Sequence, residues 1–167
     1  MAVDFAYKQF DRGNKGYALR SIKLGMSRKL LFASGLLACF WCDPMISKIE
    51  RQDASIQGLI DCLDVFLSRT PLERIALFYV VQIRAHETRF LRENAKQLFD
   101  AYDAFLGMLD DEEKRGHFDA LKFDEQDESP FFREARNIRQ SFRLAIQEMF
   151  MGKDSPLLQH SIEKGVF

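Results

Sequence analysis

Residues 70–83 read TPLERIALFYVVQI, and this stretch decides the fold. Thr70 is a residue type that accepts from the open N–H groups of a first helical turn. Pro71 loses nothing at the first helical position, because its missing N–H would have found no partner there. Glu73 stands where a capping box needs a carboxylate. Ile75–Ile83 then carries apolar residues on every side, the pattern of a central helix enclosed by others.

The remaining prolines repeat the grammar. Asp43-Pro44, Ser129-Pro130 and Ser155-Pro156 each place proline after a capping residue, so all four prolines read as helix starts. No stretch alternates apolar and polar residues long enough to make a strand, and no Asn-Gly or Asp-Gly hairpin turn occurs.

Working outward, the stops divide the chain into helices. A short one covers Val3–Phe10 and a second Tyr17–Trp41. A third covers Pro44–Ser68, interrupted near Asp53–Ser55, and a fourth runs from Pro71 toward Leu109. A fifth covers Pro130–Met151, closed by Gly152, and a last one starts at Pro156. Asp110–Glu128 is acidic and reads as half loop, with a helical turn or two at its start. The expectation is one all-α domain over residues 1–167, a helical bundle of five to seven helices around the helix that starts at Pro71.

The fourth segment carries a second pattern. Leu91, Ala95, Leu98, Tyr102, Phe105 and Leu109 follow one another at 4-3-4-3-4 spacing, a narrow packing seam. One unbroken helix from Pro71 to Leu109 would be about 58 Å long, longer than a domain of this size is wide. Either it bends near Glu87–Glu93, or its second half packs on another subunit. The seam is therefore a candidate interaction face.

Composition bounds the classes. The chain has 167 residues, 47% hydrophobic and 29% charged, with nine Gly, which suits a soluble globule and excludes collagen-like or linker-like chains. Its longest uncharged run, Leu30–Cys42, has thirteen residues, short of the roughly 20 a spanning helix needs. The net charge of −1 hides a basic stretch over residues 1–29 and eleven carboxylates over residues 100–128. Sixteen Phe are more than core spacing accounts for, and the surplus points to a groove or a subunit contact.

Three constellations could carry chemistry. Cys39-Phe40-Trp41-Cys42 spaces two thiols for a disulfide or a shared metal. A helix starting at Pro44 would turn its positive end toward Cys42 and lower its pKa. The pair resembles the redox motif of the alkylhydroperoxidase and carboxymuconolactone decarboxylase family, which implies thiol redox chemistry at Cys39 and Cys42. Members of that family carry a His four residues after the second Cys, where Ile46 stands here. The structural alternative is a pair of small buried hydrophobes. The stretch from Met26 to Cys39 also resembles a bacterial lipoprotein signal with Cys39 as the acylated residue, although Leu37 is atypical of such signals. The odd, low count of three Cys fits the cytoplasm.

Glu50, Asp53, Asp61 and Asp64 fall within about 80° of one another if their segment is one helix, a weak candidate for a divalent cation against a solvated face. Arg133, Arg136, Arg139 and Arg143 share one side of the fifth helix. Arginine suits bidentate contact with carboxylates or phosphates, so this face is a candidate for a partner or an anion, or for ion pairs with the chain's own acids. Nucleotide-binding loops and the His-Glu-x-x-His zinc motif do not occur.

These readings combine into an interaction or regulatory protein, homodimeric or bound to another protein, without catalysis and without a cofactor. A thiol redox enzyme and a nucleic-acid binder using the arginine face are the alternatives.

Overall fold

The computed structural model describes residues 16–50, 55–86 and 88–164. The helix expected at Val3–Phe10 lies outside them. Among the described residues there are seven helices and no strand, so the fold is all-α. They are α1 (Tyr17–Glu50), α2 (Ile56–Leu67), α3 (Pro71–His86), α4 (Arg89–Asp110), α5 (Glu112–Ala120), α6 (Pro130–Met151) and α7 (Leu158–Glu163).

Two prolines open helices as read. At Thr70-Pro71 the Thr70 N–H donates to Glu73 Oε2 at 2.7 Å and the Glu73 N–H to Thr70 Oγ1 at 3.4 Å, a complete capping box. At Ser129-Pro130 the Phe132 N–H donates to Ser129 Oγ at 3.1 Å. At Ser155-Pro156 the serine accepts from Leu157 N–H at 3.1 Å, and a turn over Pro156 and Leu157 delays α7 to Leu158.

Pro44 corrects the pattern, since it lies inside α1, which continues to Glu50. A proline in a helix interior costs about 3 kcal/mol. Leu37 and Phe40, both buried in the turns before it, each return about 1.5–3 kcal/mol by burial. Asp43 does not cap a new helix: its carboxylate faces Lys164 Nζ at 3.3 Å and His160 Nε2 at 3.6 Å.

The long segment after Pro71 is two helices. α3 ends at His86, and Thr88 opens α4 by accepting the Leu91 N–H at 3.4 Å. α3 buries Ile75, Phe78 and Tyr79, while Val80 and Val81 on its other side are exposed, so the enclosure expected all round holds on one face. The acidic stretch holds more helix than expected: α5, capped by Asp111 Oδ1 accepting the Lys114 N–H at 3.0 Å, spans nine residues.

The chain packs as two compact units, one of residues Met1–Ser27 and Lys96–Ala145, the other of Arg28–Ala95 and Ile146–Phe167. In the first, Tyr102 stands 5.9 Å from both Phe105 and the fully buried Phe142, ring centre to ring centre. Gly16 stands just before α1 with φ +78°, and its N–H donates to the Asp119 carbonyl at 2.6 Å. In the second, Phe40 packs on Phe150 at 6.0 Å and Trp41 on Phe66 at 5.3 Å. The Tyr79 hydroxyl donates to Asn94 Oδ1, a buried polar contact between α3 and α4.

Two glycines respond oppositely to a methyl group. A Cβ on Gly152 would meet the Glu148 carbonyl oxygen at 2.5 Å and Phe90 Cζ at 2.7 Å, whereas one on Gly107, inside α4, meets nothing within 4 Å. Gly152→Ala is expected to destabilise by about 1–3 kcal/mol and Gly107→Ala to stabilise by about 0.5–1 kcal/mol, read by urea unfolding. Equal effects of one sign would contradict this packing.

Candidate functional site

Of the three constellations the thiols carry the sharpest chemistry. Cys39 is exposed, Cys42 is 3% exposed and Cys62, on α2, is half-buried; all three are free. The Cys42 side chain is hydrogen-bonded to Cys62, one helix away. Burial pushes the Cys42 thiol up from 9.0 to about 11, and the neighbouring Cys62 and Cys39 raise it further in the same direction. The expected activation is corrected: α1 has no N-terminus at Pro44 to favour a thiolate, and the buried thiol stays protonated. The neighbour that Cys42 meets by hydrogen bond is Cys62, not Cys39. Cys39 stands within α1, and no helix among the described residues is long and apolar enough to cross a membrane.

The carboxylate stripe does not form on one helix. α1 ends at Glu50 and α2 begins after Ser55, whose hydroxyl caps it by accepting the Gly58 N–H at 3.1 Å. Asp53 and the Glu50 side chain lie outside the described residues. Asp61 and Asp64 are exposed on α2, and Gln57 Nε2 donates to Asp61 Oδ1 at 2.7 Å. Among the described residues no group of three or more His, Cys, Asp or Glu is placed to hold a metal ion.

The arginines of α6 are only partly a free face. Arg136 pairs with Asp127 at 2.6 Å, inside the acidic stretch, and its guanidinium lies 5.6 Å from the Phe132 ring centre. Arg143 Nε donates to Gln140 Oε1 at 3.1 Å. Arg139 is half-buried against α1, where Gly25 leaves room for it: a Cβ there would stand 2.8 Å from Arg139 Cδ. Arg133 is exposed. On α5, Lys114 adds a second link from the acidic stretch to α6, pairing with Glu134 at 2.8 Å. Exposed pairs of this kind contribute about 0–1 kcal/mol each, so they set local charge more than stability.

The seam is corrected as an interaction face. Leu91, Leu98 and Phe105 are buried in the chain itself, and Tyr102 and Leu109 are half-buried. The 3.5-residue spacing recorded the chain's own core at Leu91, Leu98 and Phe105, and only Tyr102 and Leu109 keep part of their surface.

One contact escaped the sequence. His117 Nε2 stands 2.7 Å from Ser129 Oγ, with the ring edge-on to Phe131 at 5.2 Å. Ser129 is buried and already caps α6, so the pair joins the end of α5 to the start of α6 and is not a poised nucleophile. The Ser-Pro cap was legible; its histidine partner, twelve residues away, had no local signal. An open hollow of about 530 Å³ lined by Leu19, Glu112, Arg115, Gly116 and Asp119 mixes both charges and brings no nucleophile and base together.

What stands out is apolar surface. Thirteen large hydrophobic side chains are exposed among the described residues, and ten of them lie in the second unit. Ile56, Ile60 and Leu67 line one edge of α2, Val80 and Val81 lie on α3, and Leu31, Phe32 and Ile46 lie on α1. No known protein family matches the chain, and no match is found among curated proteins or solved structures.

Proposed function

We propose that the protein is a helical interaction or regulatory protein that works as a homodimer, through its surface and without catalysis. The carrying observation is the concentration of exposed apolar side chains in the second unit, ten of thirteen. Exposed apolar patches of this kind mark contact sites, and a stable interface covers about 800 Å² on each partner. The net charge of −1 puts little repulsion between two copies. The reading places the protein in the cytoplasm, on its odd and low cysteine count.

Light scattering on the full chain at micromolar concentration is expected to give twice the chain mass. A clean monomer across the accessible concentration range would overturn the reading.

A further inference from the structure

α2 has twelve residues, and four of its large apolar side chains, Ile56, Ile60, Val65 and Leu67, are between 47% and 68% exposed. Taken from Ile56, a rotation of about 100° per residue puts Ile56, Leu67 and Ile60 within about 40° of one another, Asp64 at about 80° and Asp61 at about 140°. Both aspartates are exposed. The outward side of α2 is therefore an apolar ridge about 16 Å long with carboxylates along one flank.

The charge on this flank is unanswered within the chain. α2 carries no basic residue, and among the described residues neither Asp61 nor Asp64 is in an ion pair. Asp61 accepts from the neutral Gln57 amide at 2.7 Å, which leaves most of its acceptor positions open. Asp64 stands in the last turn of α2, at the negative end of the helix dipole, where an anion is disfavoured and a cation favoured. The two arginines beyond that end are committed to backbone. Arg69 Nη1 donates to the Val65 carbonyl, and Arg74 donates from Nη2 to the Leu67 carbonyl at 2.8 Å and from Nε to the Arg69 carbonyl at 3.0 Å.

We infer that this face of α2 is the docking site for a basic amphipathic helix of another protein. Such a helix lays its apolar stripe on Ile56, Ile60 and Leu67 and sets Lys or Arg, one turn apart, against Asp61 and Asp64. The cation that meets Asp64 also offsets the unfavourable end of the dipole. Charge excludes the other occupants. A second α2 would set carboxylates against carboxylates, and nucleic-acid phosphates or anionic lipid headgroups would meet like charge. The inference stands apart from the homodimer reading, since α2 holds four of the ten exposed apolar side chains of the second unit and leaves six for a contact between copies.

The test uses the full chain and a fluorescent peptide of leucine and lysine, about 18 residues or five helical turns, with leucine on one face and lysine along both flanks. Fluorescence anisotropy is expected to show saturable binding of one peptide per chain, and a version with glutamate for lysine is expected not to bind. Asp61→Asn with Asp64→Asn is expected to weaken binding about tenfold, and Ile60→Gln by a similar factor. Asp103→Asn with Asp110→Asn removes the same charge from exposed positions on α4 in the first unit and is expected to change it less than about twofold. All of these exchanges are at exposed or partly exposed positions, and unchanged helical ellipticity checks the fold of each variant. Equal losses from the two aspartate pairs, or equal binding of the glutamate peptide, overturn the inference, because the attraction would then be general or chargeless. Binding to phosphatidylglycerol vesicles that Ile60→Gln abolishes overturns it in favour of a membrane. A wild-type dimer that Ile60→Gln turns into a monomer overturns it in favour of a second copy. A wild-type monomer that binds the lysine peptide through Asp61 and Asp64 overturns the homodimer reading alone.

Discussion

Phe66→Ala is expected to lower the unfolding free energy by about 3–5 kcal/mol, the usual result of emptying a buried aromatic site. Phe66 is fully buried, and α2 places no other side chain so deeply. Its ring lies 5.3 Å from that of Trp41 on α1, tilted by 32°. Trp41 is the one tryptophan in the chain, so the damage has a direct optical readout. Removing the Phe66 ring uncovers one face of the indole, and native-state emission is expected to move to the red and become easier to quench with acrylamide. Phe66→Leu keeps most of the volume and is expected to cost much less, with a smaller spectral change. If Phe66→Ala unfolds within 1 kcal/mol of wild type, as urea titration would show, and leaves the emission unmoved, α2 is not held to α1 through this contact. The magnitude matters for the interaction proposal too. α2 leaves Ile56, Ile60 and Leu67 exposed, so its attachment leans on a short list of contacts, and Phe66 is the largest of them.

Local signals carried the all-α class and several boundaries. Thr70-Pro71 with Glu73, Ser129-Pro130 and Gly152 each contain, within four residues, the groups that satisfy or block the helix end. Pro44 shows where local reading fails. Its cost is written in the sequence, but the opposing burial of Leu37 and Phe40 depends on packing partners that no window around Pro44 reveals, Phe150 beside Phe40 among them. The seam from Leu91 to Leu109 failed for a different reason. Spacing identifies the side of a helix that is covered and is silent on whether the cover belongs to the same chain. The Cys42–Cys62 and His117–Ser129 contacts join residues 20 and 12 positions apart on different helices, a separation at which one sequence offers no pairing rule. The exposed side of α1 was hidden by its context. In a stretch as apolar as Leu30–Cys42, only the structure separates Ala33 and Leu37, which are buried, from Phe32 and Cys39, which are not.

Raising the pH above 9 is expected to destabilise the fold through Cys42, with Tyr79 joining at higher pH. Burial raises the Cys42 thiol from 9.0 to about 11, and burial raises the Tyr79 phenol above its ordinary value of 10.0. In the unfolded chain both groups release their protons at the ordinary values; in the folded chain they hold them longer. The folded state therefore binds more protons over this range, and stability falls as pH rises. Below pH 9 the stabilisation is fully present. Between about pH 9 and 11 Cys42 removes up to about 1.4 kcal/mol per pH unit, some 3 kcal/mol in all. Tyr79 adds a loss that begins near pH 10 and continues beyond the range where Cys42 is complete. The measurement is urea unfolding followed by helical ellipticity at pH 8, 9, 10 and 11, comparing slopes and not absolute stabilities, since every substitution also changes packing. Cys42→Ala cannot ionise there and is expected to flatten the curve between pH 9 and 10 and to reduce the fall between pH 10 and 11. Tyr79→Phe is expected to keep the fall between pH 9 and 10 and reduce it between pH 10 and 11, while lowering stability at neutral pH by about 1–3 kcal/mol through loss of the donor to buried Asn94. Lys114, raised by its bond to Glu134, titrates in the same alkaline region and is common to all three proteins, so it cancels in the comparison. An unchanged slope in Cys42→Ala would mean that water reaches the thiol in the native state. Cys42 would then not be enclosed between α1 and α2, and the contact with Cys62 would not hold in solution.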